Sequence, residues 1–395
     1  MSMKLLVIAD DLTGALDTGV RFGAKNSLLR IAHAPEKIMD GLPENTQVLI
    51  VDSESRHLPP DEAYKTVYTI VSSAKKAGVE HIYKKTDSAL RGNIGSELAA
   101  ARDATGQSVH FVPAFPSMGR VTRGGVHYIG SIPVAESVFG ADPFEPVRHS
   151  AVADIIAEQT CAHGIYIHDA STEEDMWNIA HMLKKSGRLG LLSGCAGFAA
   201  VLPSLLGLEK AEKSAFLPPD KLLTVCGSIN PITASQLDYA ENHGMRRIKL
   251  TPGEKLAGEW TRSIPAWLKM LETGHLIIDC GHTFSPHEQR RLQEKYGELR
   301  PLIADNMGGI LTALLDRGAG ATMLVTGGDT LLAFMRRAGV STLSQMTELY
   351  PGIVLSAIEY GGREYALISK SGGFGSADLL TKLTEKLRQM NTGGM

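Results

Sequence analysis

Residues 5–15 read Leu-Leu-Val-Ile-Ala-Asp-Asp-Leu-Thr-Gly-Ala. A short apolar run ends in two acids and a Thr-Gly turn, and an amphipathic stretch from Ala15 to Lys25 follows. This order predicts a strand, a turn and a helix. It recurs along the chain. Val48–Asp52 is a second strand. Asp61–Ala77 is a helix entered through Pro59 and Pro60, because proline suits a first helical turn. His81–Tyr83 runs into a polar stretch, Ile94–Ala104 is helical in pattern, and Val109–Val112 is another buried strand. The pattern resumes at Ile165–Asp169 and Leu189–Ser193. Strands alternating with helical stretches of this kind argue for an α/β fold with a mainly parallel sheet.

Residues 113–150 differ, being rich in glycine and proline with weak periodicity. They carry Arg120, Arg123, His127 and Tyr128, and read as ordered active-site loops. Residues 210–221 are charged and proline-bearing and make the best linker. Leu222–Cys226 then opens a second α/β unit with strands at Ile248–Leu250, Leu276–Asp279 and Met323–Thr326. The expected architecture is two domains, residues 1–212 and 220–395. Each is a mainly parallel sheet flanked by helices, with a cleft between them.

The 395 residues carry a formal charge of −3, with 43% apolar and 21% charged residues. That balance argues against nucleic acid or an anionic membrane as partner, and leaves small anionic substrates open. The N-terminus reaches Asp10 and Asp11 after a short apolar run, without a cleavage-type h-region. No apolar run approaches the ~18 residues of a membrane span. Cys161, Cys195, Cys226 and Cys280 are far apart and read as reduced core thiols, and thirteen histidines include no H-E-x-x-H pair. A cytoplasmic location is the expectation.

Several polar clusters fall at strand ends, where ligands bind in open α/β sheets. Asp10 and Asp11 suit orientation of hydroxyls, a general base or a metal ligand; the plain alternative is a helix cap with a shaped turn. Asp52-Ser53-Glu54-Ser55-Arg56-His57 offers Arg56 as a carboxylate ligand, or is a surface turn. Lys84-Lys85-Thr86-Asp87-Ser88-Ala89-Leu90-Arg91 brings three cations, an acid and two hydroxyls together. That set suits a carboxylate carrying many hydroxyls, held by Arg56 and Lys85 with Arg91 or Arg120, and Asp87 accepting a proton. In the second half, Gly227-Ser228, Gly327-Gly328-Asp329-Thr330 and Gly372-Gly373-Phe374-Gly375 each precede a helix. Such turns expose backbone N–H groups and the positive end of the helix dipole to phosphate. Each alone is weak, and three in one domain favour a nucleotide-phosphate cradle. The chain lacks a P-loop, the protein-kinase signatures and a dinucleotide fingerprint. Asp10-Asp11-Leu12-Thr13 does not have the spacing of aspartate-nucleophile phosphatases, because its acids are adjacent.

Taken in order, ADDLTGALDTG (9–19), KKTDSALRGNIGSEL (84–98), PAFPSMGRVTRGGVHYIG (113–130), VCGSIN (225–230), VTGGDT (325–330) and SKSGGFG (369–375) resemble the four-carbon acid sugar kinases over nearly the whole chain. That resemblance implies a sugar-acid-binding N-terminal domain and an ATP-binding C-terminal domain. It implies phosphorylation of the terminal hydroxyl of D-threonate, D-erythronate or a 3-oxo-tetronate. It places Asp11, Arg56, Lys85, Thr86, Asp87 and Ser88 at the substrate, and Ser228, Gly327 to Thr330 and Gly373 at ATP. The residue reading adds Asp10 and Arg91 to the substrate site, and Gly372 and Gly375 to the cradle. Asp87 is the first choice of base and Asp11 the second. Mg²⁺ is expected with ATP, its protein ligands unassigned. A homodimer is expected only from the frequency of symmetric oligomers. The rivals are a non-catalytic sugar-acid sensor and a phosphatase.

Overall fold

The computed structural model describes residues 3–22, 26–142, 145–209, 217–281, 286–370 and 373–392. The chain forms two compact units, Met1–Glu212 and Lys213–Met395.

In the first unit, β1 (Leu5–Ala9), β2 (Ser27–Ile31), β3 (Val48–Asp52), β4 (His81–Lys85), β5 (Val109–Val112), β9 (Ile165–Ile167) and β10 (Leu191–Gly194) form one sheet. Its order is β2-β3-β1-β4-β10-β5-β9, and every pairing is parallel. Helices α1 (Leu12–Phe22), α2 (Pro60–Lys76), α3 (Ile94–Thr105), α4 (Val152–Ala157), α5 (Glu173–Lys185) and α6 (Ala196–Ala199) complete it. The strands are apolar because helices cover them. Leu6 and Ile8 of β1, Leu49 and Val51 of β3, Val67 and Ile70 of α2 and Leu98 of α3 form one buried cluster. Each such side chain contributes about 1.5–3 kcal/mol on burial. The chain builds β2 and β3 on one side of β1 and then places β4 on the other. Strand order therefore reverses beside β1, which opens a crevice at the carboxyl ends of β1 and β4. The register sets those ends level: Ala9 pairs with Asp52, and Lys85 with Gly194.

The structure corrects several sequence expectations here. The first helix begins at Leu12, three residues before the periodic stretch, and is described only to Phe22. Strand β2 had no counterpart in the sequence reading. The segment 113–150 is not purely loop. It contains β6 (Arg120–Arg123), β7 (Val126–Ile129) and β8 (Ile132–Pro133), a small antiparallel sheet. Cys161 is exposed rather than a core thiol, whereas Cys195, Cys226 and Cys280 are buried.

The second unit has β11 (Leu222–Cys226), β12 (Arg246–Lys249), β13 (Leu276–Asp279), β14 (Thr322–Thr326), β15 (Thr342–Tyr350), β16 (Ile353–Tyr360) and β17 (Arg363–Lys370). β12-β13-β11-β14-β17 run parallel, and β16 and β15 continue the sheet antiparallel. Helices α7 (Pro231–Asn242), α8 (Pro252–Ala257), α9 (Ile264–Glu272), α10 (Pro286–Tyr296), α11 (Leu299–Asp316), α12 (Gly328–Ala338) and α13 (Leu379–Thr392) belong to it. The β16–β17 hairpin turns on Gly361 and Gly362, both at positive φ (57° and 72°), as a two-residue turn matching strand twist requires. No described helix is long and apolar enough to cross a membrane.

Candidate active site

At the crevice of the first unit, side chains from three strand ends form one ion lattice. Asp10 and Asp11 follow β1, Arg56 follows β3, and Lys85 closes β4. The Arg56 guanidinium bridges the two acids. Its Nε donates to Asp10 Oδ2 and its Nη1 to Asp11 Oδ2, both at 2.7 Å. Lys85 Nζ donates to Asp10 Oδ1 at 3.2 Å and to Asp11 Oδ1 at 3.3 Å. Gly14 permits this approach, since a β-carbon there would lie 1.8 Å from Lys85 Nζ. The backbone N–H of Gly14 donates to Asp11 Oδ1 at 2.9 Å.

The turn after β4 adds a second layer. Asp87 accepts a fork from Arg91, Nε at 3.0 Å and Nη2 at 3.1 Å, together with the backbone N–H groups of Ala89 and Arg91. Arg56 Nη2 stands 3.8 Å from Asp87 and so joins the layers. Leu90 sits at φ 63°, a costly conformation for a branched residue, held by the turn that wraps Asp87. Ser88 Oγ accepts from Arg120 Nη1 of β6 at 2.8 Å.

The charges are set by these pairings. Burial alone would raise the Asp10 carboxyl, but Arg56 and then Lys85 outweigh it and hold it far below the usual carboxylate range. Asp87 is likewise held low by Arg56 and Arg91 against its burial. The acids in turn hold Arg56 and Lys85 protonated against burial. Asp52 behaves oppositely. It is buried, and among the described residues Oδ1 accepts from Glu54 N at 3.0 Å and Oδ2 has no hydrogen-bond partner. Burial pushes its carboxyl well above the ordinary value, so it is held neutral. Openness to solvent separates the three lattice acids: Asp11 is 30% exposed, Asp87 11% and Asp10 1%.

In the second unit, three glycine turns converge. Gly227 N donates to Thr326 O at 3.1 Å, and Gly327 N to Lys370 O at 3.2 Å. A β-carbon on Gly227 would fall 1.9 Å from Thr330 Oγ1, so the first two turns touch through a position that admits only glycine. Asn230 caps α7 by accepting from Ile232 N at 2.9 Å, and Gly373 faces the Asn230 amide. Gly375, at φ 89°, packs against Leu379 and Gln236, and the Gln236 amide donates to the carbonyls of Phe374 and Ser376. A cavity of about 400 Å³ opens beside these turns, lined by Pro231, Ile232, Ser235, Gly375 and Ala377.

The family model described as "Sugar-binding N-terminal domain" matches residues 5–164, and "Nucleotide-binding C-terminal domain" matches residues 223–380. A D-threonate kinase of Bordetella bronchiseptica is 29% identical over 97% of this chain and 97% of its own. A D-erythronate kinase of Heliobacterium modesticaldum is 26% identical, covering 97% and 98%. A 3-oxo-tetronate kinase of Methylobacterium radiotolerans is 26% identical, covering 98% and 100%. The chain belongs to the four-carbon acid sugar kinase family. It is an ATP-dependent sugar-acid kinase. The kinase also shares its fold with a solved structure from Salmonella typhimurium LT2 described as a tRNA synthase. Their TM-score is 0.81 at 21% identity, over 97% of this chain and 99% of that one.

Six of the kinase's sequence-nominated residues, Asp10, Asp11, Arg56, Lys85, Asp87 and Arg91, meet in the lattice, and Ser88 borders it. Thr86 is buried, with its N–H on Gly194 O at 2.9 Å and its hydroxyl without a hydrogen-bond partner among the described residues. Lys84 does not join. Adjacent strand residues face opposite ways, and Lys84 Nζ turns inward to Glu97 Oε2 at 2.7 Å. Ser55 also donates to Glu97, and the Asn93 amide donates to Ser55 O and Leu58 O at 2.8 Å, so this buried set holds the Arg56 loop. Sequence reading missed Glu97 and Asn93, which look like ordinary residues at a helix start. Gly227 and Thr330 pack together with Gly327, while Asp329 turns to Arg300 at 2.6 Å. Gly328 begins α12, Ser228 Oγ accepts from Asn230 N at 3.3 Å, and Gly372 lies outside the described residues. Among the described residues no group of three or more His, Cys, Asp or Glu side chains is placed to hold a metal ion.

Proposed function

We propose that this kinase transfers the γ-phosphoryl group of ATP to the terminal hydroxyl of D-threonate or D-erythronate. The observation that carries the proposal is the lattice of Asp10, Asp11, Arg56 and Lys85 in the unit matched by the sugar-binding model. Its carboxylates are fixed acceptors for substrate hydroxyls, and Arg56 and Lys85 hold Asp10 ionised despite its burial. Asp10, Asp11, Arg56, Lys85, Thr86, Asp87, Ser88 and Arg91 form the proposed acid site. A 3-oxo-tetronate is the second reading, because several relatives carry that name.

Asp11 is the proposed base, in preference to Asp87. The Asp87 carboxylate is filled by donors, and its guanidinium neighbours hold it far below the range of a useful base. Asp11 is the acid of the lattice most open to a ligand. Alignment supports catalysis more than base strength, because phosphoryl transfer passes through a loose transition state. Asp87 serves that alignment by fixing Arg91 and Arg56.

ATP is proposed on the second unit, with its phosphates on the turns of Ser228, Gly327, Gly328, Asp329, Thr330, Gly373 and Gly375. The fit rests on the contact of Gly227 with Thr330, on Gly327 at φ 105°, and on the neighbouring cavity. ATP supplies the phosphoryl group, and Mg²⁺ bound with it neutralises the phosphate oxygens. Mg²⁺ commonly takes only one or two carboxylates from the protein, so a dedicated side-chain cage is not required.

The test is ATP consumption with Mg²⁺ over D-threonate, D-erythronate, their L-isomers and 3-oxo-tetronate. Turnover of a D-tetronate and not its epimers supports the reading. Preference for 3-oxo-tetronate moves the assignment to the second reading. ATP binding without turnover of any four-carbon acid overturns both.

A further inference from the structure

The lattice contains three cations, and each already has a carboxylate partner. Arg56 holds Asp10 and Asp11 at 2.7 Å, Lys85 holds the same pair, and Arg91 forks onto Asp87 and reaches Asp142 at 3.4 Å. A substrate carboxylate arriving there must compete with a resident acid for each cation. It also meets the negative charge of Asp11, the most open acid of the set.

Arg120 is different. Among the described residues no carboxylate pairs with it; its one hydrogen-bond partner is the neutral hydroxyl of Ser88 at 2.8 Å. Its Nε is buried without a hydrogen-bond partner. The guanidinium lies 5.7 Å from the Phe139 ring centroid, on a ring that Arg91 also approaches at 5.2 Å. The surroundings fix its position. Arg120 stands on β6, whose backbone is paired to β7. His127 of β7 is buried, with Nε2 3.0 Å from Ser88 O and Nδ1 3.0 Å from Thr122 Oγ1. Burial pushes this imidazole down to about 4, so it stays neutral and adds no charge to the pocket. A neutral imidazole donating from Nε2 to Ser88 O holds Ser88 in place, with its hydroxyl on Arg120. A cation with an unused buried N–H and only a neutral partner is short of an anion.

We infer that Arg120 with Ser88 receives the carboxylate of the sugar acid. The acid therefore lies with its carboxylate towards the small β6–β8 sheet and its terminal hydroxyl towards Asp11. His127 is a positioning residue in this arrangement. The inference rests on the proposed function for the identity of the acid and for the direction of its terminal hydroxyl.

The test uses the full-length protein, D-threonate and D-erythronate, and the primary amides of both. Binding is measured by calorimetry without ATP, and turnover is measured separately with MgATP, for wild type, Arg120→Met and Arg120→Lys. Arg120→Met is expected to weaken the acid roughly tenfold to a hundredfold, the range for a hydrogen bond to a charged group. The weaker binding of the amide should change less than about twofold, because it has no charge to lose. Arg120→Lys should restore part of the acid affinity, and the kinetic loss should fall on KM rather than kcat. Unchanged acid binding in Arg120→Met overturns the inference. So does equal weakening of acid and amide, which marks a structural role, and so does a wild type that binds neither acid. Acid binding that depends on Arg120 in a protein without ATP turnover supports this inference while removing the kinase reading. Normal turnover by Arg120→Met does the reverse.

Discussion

The ammonium of Lys85 occupies the space that a side chain at Gly14 would fill: a β-carbon there would stand 1.8 Å from Nζ and 2.5 Å from Asp11 Oδ1. Gly14 has an ordinary helical place in α1, so its identity answers to this approach and not to backbone conformation. The helix that follows the Asp10–Asp11 turn is cut to let a lysine from the neighbouring strand reach both acids.

Gly14→Ala should therefore displace Lys85 without altering the second unit. The expected result is a rise of roughly tenfold to a hundredfold in KM for the sugar acid, with KM for ATP within about twofold of wild type. Steady-state kinetics with each substrate varied in turn checks it. An unchanged acid KM would show that Lys85 does not need its observed position.

Asp52 gives a pH signature. Its folded carboxyl is raised well above the ordinary value by burial, whereas an unfolded aspartate titrates near ~3.9. The folded state then holds a proton that the unfolded state releases, and stability falls as pH rises from about 4 towards the raised folded value. Asp52→Asn removes this contribution and can keep an acceptor for Glu54 N. Urea unfolding from pH 4 to pH 8 should show the variant gaining on wild type as pH rises. A constant difference would mean that Asp52 is ionised when folded. Asp10 and Asp87 carry the opposite sign: their lowered values contribute stability above about 4 that is lost as pH falls.

Gly227→Ala should act on ATP alone. Its β-carbon would drive the Thr330 hydroxyl from its position and part the first two glycine turns. KM for ATP is expected to rise at least about tenfold, roughly one charge-assisted hydrogen bond, while calorimetric binding of the sugar acid stays as in wild type. Equal ATP affinity in the variant would remove these turns from the nucleotide site.

Much of the first unit was legible because each strand there ends in a change of chemistry. Leu5–Ala9 ends at Asp10 and Val48–Asp52 leads to Arg56, so apolar patterning placed the strand ends and with them the lattice. Strand β2 escaped because Ser27–Ile31 opens on a serine and holds Arg30, whose guanidinium leaves the sheet to reach Ile38 O and Asp40 O. The β6–β8 sheet escaped because Gly119, Gly124, Gly125 and Gly130, all at positive φ, are the turns of a tight meander but read in sequence as loop. In the second unit the sequence reading passed over β15, β16 and β17, although Gly361-Gly362 is a hairpin signal and marks where the parallel order ends. The pairing of charges was not legible. Spacing brought Arg56, Lys85 and Arg91 to one place, but only distances show that resident acids occupy all three. The same holds for the preference of Asp11 over Asp87, which rests on the greater exposure of the Asp11 carboxylate and on the Arg91 fork and backbone N–H groups already on Asp87.

The most direct test of the central claim follows the product itself. ³¹P spectroscopy of the reaction of MgATP with D-threonate or D-erythronate would be recorded for wild type and Asp11→Asn. A phosphomonoester on the terminal carbon, formed one for one with ADP, is the expected product. Asp11→Asn should form it at least ~10²-fold more slowly while binding ATP normally. A phosphate on another oxygen, or Asp11→Asn turning over at the wild-type rate, would contradict that claim.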